Sequence, residues 1–89
     1  MAIRWKLYTG GGTIDSIEPI LARHGIERAT MIPVHGLWKG KLEYGTLVEI
    51  ISFDANFVLP SRLIAELKQE LKQDCILLTI EELFAAATL

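Results

Sequence analysis

The chain has a single cysteine, Cys75, so no intramolecular disulfide can form and a small secreted scaffold held by cysteine bridges is not expected. Cys75 opens the run Cys75-Ile76-Leu77-Leu78, where a thiol serves as a small buried hydrophobe. An excess of charge of one sign is also missing. Nine Lys and Arg stand against eleven Asp and Glu, a formal net charge of −2. Nucleic-acid binding calls for a basic domain or a clustered basic face, so no nucleic-acid partner is expected. No uncharged apolar run approaches the roughly 18 residues of a membrane span. Met1-Ala2-Ile3-Arg4-Trp5-Lys6 interleaves charge with apolar residues and has no h-region. The expectation is a cytoplasmic protein without a membrane partner. Aromatic residues make up only 8%. An RNA-recognition strand needs alternating aromatics, and the segment Lys41 to Val48 offers Tyr44 alone.

What the chain does have is apolar residues. They are 51% of its 89 residues, and the mean hydropathy is +0.33. This length makes one domain, 1–89, with a thin core. A small domain cannot hide so much apolar surface inside itself, and exposed apolar patches mark interfaces. A homodimer or higher homo-oligomer through the sheet is therefore expected.

Periodicity orders the elements. Ile3, Trp5 and Leu7 alternate with Arg4, Lys6 and Tyr8, which predicts a half-buried strand ending at Gly10-Gly11-Gly12. A helix capped by Asp15 or Ser16 follows, with Pro19 in its first turn and Gly25 as its stop. Ile17, Ile20, Leu21 and His24 share one face. A second strand runs from about Ala29 to Val34, and Pro33 makes it an edge strand or a bulged one. His35 to Gly40 forms the turn. The third strand, about Leu42 to Phe53, is apolar on both faces and so central, with Gly45 marking a possible bulge. Ser61 caps a second helix reaching about Lys72. Its like-charge pairs Glu66–Glu70 and Lys68–Lys72 leave the buried stripe Leu63, Ile64, Leu67 and Leu71 to hold it. A fourth strand spans Cys75 to Leu78. Thr79-Ile80-Glu81-Glu82 has capping-box form and predicts a short terminal helix, Ile80 to about Ala87. The order β-α-β-β-α-β with right-handed crossovers is an α+β ferredoxin-like sandwich, first and third strands central, with a short extra C-terminal helix. Both helices then cover one sheet face, leaving Arg4, Lys6 and Tyr8 on the other beside apolar residues of the third strand.

The candidates for chemistry are few. Gly10-Gly11-Gly12-Thr13 joins a strand to a helix, where successive amides can hold an anion, although no Walker A or Gly-x-Gly-x-x-Gly pattern follows. The alternative is a plain flexible turn. Tyr8 to Asp15 also looks like the Thr-Gly-Gly-Thr-Ile segment of bacterial-type asparaginases, with Thr13 at the nucleophile's place. The extra glycine, the missing His-Gly-Thr-Asp motif and the short chain rule that kinship out. His24 and His35 have no partners at metal-ligand spacing, so neither a metal nor a cofactor is expected. His24 suits a helix C-terminus, where its charge complements the dipole. The hairpin Gly36 to Glu43 holds Trp38 between two glycines. Trp38 either covers one end of the core or walls a pocket in which Glu43 accepts a hydrogen bond. A lone carboxylate is not a catalytic set, so no catalytic residue is assigned.

Gly36-x-Trp38-x-Gly40-x-x-Glu43, the strand Leu47 to Ile51, and Gln73-Asp74-Cys75-Ile76-Leu77 together resemble small ferredoxin-like domains of unknown function. The resemblance implies a fold and no activity. CutA and the PII-type nitrogen regulators look similar in topology, and that likeness implies trimers with ligands in subunit clefts. This sequence lacks their long exposed loop and basic phosphate-binding residues, which argues against ligand sensing by that route. Three readings follow. The first is a non-enzymatic, self-associating interaction or regulatory domain. The second is a small-ligand module, for an anion or metabolite, using Gly10, Gly11, Gly12, Thr13, Trp38 and Glu43. The third is a small dimeric ferredoxin-like enzyme in which His35, Trp38, Glu43 and Tyr44 converge.

Overall fold

The computed structural model describes residues 2–54, 56–73 and 76–83. Cys75, and the expected terminal helix beyond Leu83, lie outside them. The described chain runs β1 (Ala2–Gly10), α1 (Ile14–Arg23), β2 (Thr30–Trp38), β3 (Lys41–Ser52), α2 (Ser61–Glu70) and β4 (Leu77–Leu83). The four strands form one antiparallel sheet in the order β2-β3-β1-β4. This is the expected ferredoxin-like α+β sandwich. β1 and β3 are central, and Pro33 falls on the edge strand β2, where its missing donor costs no inner ladder bond.

The pleat sorts the side chains as the alternation requires. Trp5, Leu7 and Thr9 of β1 pair with Ile50, Val48 and Thr46 of β3, and all six are buried under the helices. Ile17, Ile20 and Leu21 of α1 and Leu63 and Leu67 of α2 complete the core. Fully burying each such aliphatic side chain contributes about 1.5–3 kcal/mol. The opposite face carries Arg4, Lys6 and Tyr8 opposite Ile51, Glu49 and Leu47, as the sequence predicts.

Several local expectations are corrected. α1 begins earlier than Ser16: Thr13 is its N-cap, and Thr13 and Ser16 cap each other reciprocally. The capping box escapes the usual Ser/Thr-x-x-Glu/Gln signature because serine stands in for glutamate. Pro19 consequently lies well inside α1, where its missing N–H removes the hydrogen bond to the Asp15 carbonyl. Gly25 does stop α1: at φ 73° it donates to Ala22 O while Ile26 donates to Leu21 O, a Schellman cap. Ser61 is the first helical residue of α2 rather than its cap; Pro60 holds the cap position without a side-chain bond. Gly45 makes no bulge, for pairing runs through it on both sides. It is glycine because a Cβ there would collide with the Thr9 carbonyl. The β2–β3 turn is shorter than expected, only Lys39 and Gly40, both with positive φ (53° and 75°). These are the backbone values of a type I′ hairpin, and His35 to Trp38 therefore belong to β2.

Residues 80–83 are strand rather than helix. Thr79 and Glu81 lie opposite Lys6 and Arg4, and Arg4 donates to Glu81 at 2.6 Å while Lys6 Nζ stands 3.5 Å from it. The Arg4 hydrogen bond holds the Glu81 carboxyl below its usual range. A capping box is worth about 1 kcal/mol, and it loses to a ladder of seven pairs plus these charges.

Charge does hold α2, through a partner the sequence does not indicate. Glu66 accepts from Arg23 Nε at 2.9 Å, from Arg23 Nη2 and from His24 Nε2, tying the end of α1 to α2. The His24 hydrogen bond first, and Arg23 second, hold the Glu66 carboxyl below its ordinary 4.5. A depressed carboxylate stabilises the fold above its unfolded value and loses that contribution as pH falls through the folded one. Glu66→Gln is expected to lower Tm at pH 7, with the gap from the wild type closing on acidification below about 4.5, read by thermal melts across pH. Gly45→Ala, pressing a methyl against the backbone of β1, is expected to cost about 3 kcal/mol in denaturant unfolding.

Candidate functional site

β1 ends at Gly10 opposite Gly45, while β2 and β3 remain paired out to Trp38 and Lys41. Residues 35–44 therefore form a two-stranded arm beyond the sheet, and the glycine loop lies at its root. A buried polar clamp fixes that root. Thr9 Oγ1 donates to Thr46 O at 2.8 Å, and Thr46 Oγ1 donates to Gly12 O at 2.7 Å. Each bond satisfies a group that would otherwise cost about 1–3 kcal/mol if buried unpaired.

The amides of the glycine loop are already engaged. Gly11 donates to Tyr44 O at 2.7 Å, Gly12 to Thr9 O at 3.3 Å, and Thr13 to Ser16 Oγ at 3.0 Å. The loop is thus a tightly bonded strand-to-helix connection, with its donors turned inward. What it offers to a neighbour is absence of side chains.

On the sheet face away from the helices, Gly10, Gly36 and Gly45 lie on adjacent strands and leave bare backbone. Polar side chains fill the space. The Glu43 carboxylate sits where a Gly10 Cβ would be, and Gln73 Oε1 is 2.9 Å from the same point. Tyr8 Oη lies 2.7 Å from the Cβ position of Gly36. Gln73 Nε2 is 3.2 Å from the Cβ position of Gly11 and donates to Leu71 O. A second Schellman cap aims Gln73 there: Lys72 takes φ 54°, and Gln73 N donates to Lys68 O at 2.9 Å.

Of the sequence-predicted residues, Gly10, Gly11 and Glu43 come together. Gly12 and Thr13 lie behind them, with Thr13 capping α1. Trp38 shares the arm face with Glu43, since Gly36↔Glu43 and Trp38↔Lys41 are successive same-face pairs. It is 59% exposed, so it does not cover the core. His35 and Tyr44 stack edge to face on the arm's other side, centroids 4.6 Å apart, which separates them from Trp38 and Glu43. Sequence reasoning missed Tyr8 and Gln73 as members. The alternation of β1 could have found Tyr8; Gln73 arrives only through topology. A second cleft of about 520 Å³ opens on the helix side, between Gly11–Asp15, Pro33 and Tyr44–Thr46. Among the described residues no group of His, Cys, Asp and Glu is arranged to hold a metal, and no helix is long and apolar enough to cross a membrane.

No family model matches this chain, and no curated protein matches it. Among solved structures it is similar to a phage SAM lyase in complex with S-methyl-5′-thioadenosine, at 21% identity over 91% of this chain and 81% of that one, TM-score 0.67. It is similar to a DUF3240 family protein from Shewanella baltica OS155, at 16% identity over 99% and 96% of the two chains, TM-score 0.68. It is also similar to CPII, a nitrogen regulatory PII-like protein from Thiomonas intermedia K12 bound to ADP, AMP and bicarbonate. There the identity is 10% over 99% and 96%, TM-score 0.57. At such identities the likeness is one of fold, and the Gly36-x-Trp38-x-Gly40-x-x-Glu43 pattern gains no standing from it as a family signature. The chain has the ferredoxin-like α+β fold of the PII-like and DUF3240 structures.

Proposed function

We propose that this chain is a self-associating regulatory or interaction domain, and that the β2–β3 arm is its contact element. The observation that carries this reading is the arm itself. It extends beyond the last β1 pair, yet exposes Leu37, Trp38, Leu42 and Tyr44. A lone two-stranded hairpin is marginally stable in water, and so many apolar side chains on it call for a covering surface. The same chain supplies a candidate receptor at the opposite side of its sheet, where the edge strand β4 exposes Leu77, Leu78 and Ile80. Arm to β4 edge is a head-to-tail contact, and such contacts close into rings when the rotation permits. The centre of the open sheet face is less suited to association. Its charges Arg4, Lys6, Glu49 and Glu81 are already paired with one another, and burying them costs desolvation. Association through the sheet thus takes place at its edges.

A second reading, a small-ligand site, is favoured by the convergence of Tyr8, Glu43 and Gln73 over the bare backbone of Gly10 and Gly36. Two proteins of the same fold carry adenosine derivatives: the phage SAM lyase holds S-methyl-5′-thioadenosine, and CPII holds ADP and AMP. A ribose hydroxyl or an adenine amino group suits the Glu43 carboxylate, which is an acceptor. The two readings are compatible, since the site lies at the root of the arm that makes the contact.

Light scattering and native mass spectrometry at micromolar concentration are expected to give an oligomer of the wild type and a monomer of Leu37→Asp/Trp38→Asp. A monomeric wild type would overturn the first reading. Gently prepared native protein carrying an adenosine-sized extra mass, lost in Gly10→Ala with the fold intact, is the result expected for the second. Gly10→Ala is expected to spare the fold because its methyl meets the movable ends of Glu43 and Gln73 rather than backbone.

A further inference from the structure

The tip of the arm is cationic. Lys39 stands in the hairpin turn and Lys41 opens β3, and both are exposed. Neither makes an ion pair among the described residues, whereas Arg4, Lys6 and Arg23 all do. Lys41 and Glu43 lie on the same face of the ribbon, opposite Trp38 and Gly36. They do not pair with each other, because the Glu43 carboxylate is turned away toward Gly10.

At the root of the arm, two acceptors meet with no proton between them. The Glu43 carboxylate reaches from β3 across β1 to lie over Gly10, and Gln73 Oε1 approaches the same point. The Gln73 amide is oriented by its donation to Leu71 O, which leaves the oxygen facing Gly10. An ionised carboxylate and an amide oxygen can only accept, so the spot calls for a donor. It also borders the β4 edge. Leu77 opens β4 opposite Tyr8, on the sheet face that Gly10 shares. The apolar edge that suits an arm therefore has an anionic corner, and the arm has a cationic tip.

We infer that Lys39 and Lys41 of one copy dock on the Glu43 and Gln73 acceptors of the next, and that this contact fixes how the arm lies along β4. The inference rests on the self-association reading and adds its polar lock. An ammonium brings three donors on a flexible stem, enough to serve both acceptors. An exposed ion pair contributes little affinity, but a wrong charge at a closed interface costs a great deal, and complementary charge fixes register. The lock thus acts through specificity, while the apolar side chains supply the affinity. The acceptors are those of the ligand reading, so a bound ligand and a docked lysine would exclude one another.

Two variants of the full chain test the contact. Lys39→Glu/Lys41→Glu reverses the tip and keeps the acceptors; Glu43→Lys keeps the tip and reverses the acceptor. Each alone sets like charges against each other, and each is expected to associate at least about tenfold more weakly than the wild type in sedimentation analysis. Mixing them places opposite charges at every contact between unlike copies, and association is expected to return to near the wild-type level. Thermal melts verify that each variant is folded. Glu43→Gln, expected to give an intermediate loss, replaces Glu43→Lys if that variant does not fold. A wild-type oligomer indifferent to both reversals would overturn the inference and leave self-association standing. So would a mixture that stays dissociated, since the charges would then act within one copy. A monomeric wild type would overturn the self-association reading, and this inference with it.

Discussion

The close approach of β1 and β3 at Gly10 and Gly45 governs what the rest of the chain can do. The Thr9 carbonyl stands where a Gly45 side chain would be, so only glycine lets the two central strands stay in register to the end of β1. Immediately beyond, Thr46 reaches across to the Gly12 carbonyl and turns the chain out of the sheet toward α1. Thr13 then caps that helix through Ser16. One short stretch of two strands thus ends β1, starts α1 and fixes where α1 lies on the sheet. It also decides that β2 and β3 continue alone.

The arm follows from that decision. Because β1 stops at Gly10, residues 35–44 continue as a two-stranded ribbon beyond it, and Leu37, Trp38, Leu42 and Tyr44 are exposed along it. The type I′ turn at Lys39-Gly40 closes the arm with the twist its strands require. The glycines that permit the close approach also leave bare backbone at its root, and Glu43, Gln73 and Tyr8 occupy the vacated space. Site and arm are two consequences of one packing constraint. A ligand at the root and a partner on the arm would therefore act on the same ribbon.

Much of this was legible in the sequence, for identifiable reasons. The alternation of Ile3 to Tyr8, the doubly apolar Leu47 to Ile51 and the edge-marking Pro33 together set the strand order. Gly25 ended α1 by the mechanism glycine usually serves. Three things were hidden. Thr13–Ser16 capping uses a serine where local signatures expect glutamate. Thr79 to Glu82 carries a valid helix start that is overridden by Arg4 and Lys6 across the sheet, an instance of tertiary pairing defeating local propensity. Glu66 finds its partners, Arg23 and His24, on a helix more than forty positions away, which no i, i+4 count can detect. Gln73 belongs to the same class: the left-handed turn at Lys72 brings it to Gly10 and Gly11, and nothing in its own neighbourhood says so.

The distribution of charge on the open sheet face bears on how a small, apolar-rich chain can associate without collapsing into aggregates. The centre of that face is a closed set, with Glu81 held by Arg4 and Lys6, and Glu49 within 3.9 Å of Arg4. Stacking two such faces would strip water from groups that already satisfy one another, and would return little. Most of the large apolar residues left exposed lie instead at the margins, on the arm and on β4, with Ile32, Ile51, Phe53 and Val58 outside those two places. Exposed edge strands invite indiscriminate pairing, and here the two edges differ in kind. β2 carries Pro33, which withholds a donor, while β4 has no proline and exposes Leu77, Leu78 and Ile80. Unlike edges favour a directed contact between one copy's β2 side and another's β4 side over pairing of like with like. In the proposed assembly the polar centre would act as a spacer that keeps association at the rim.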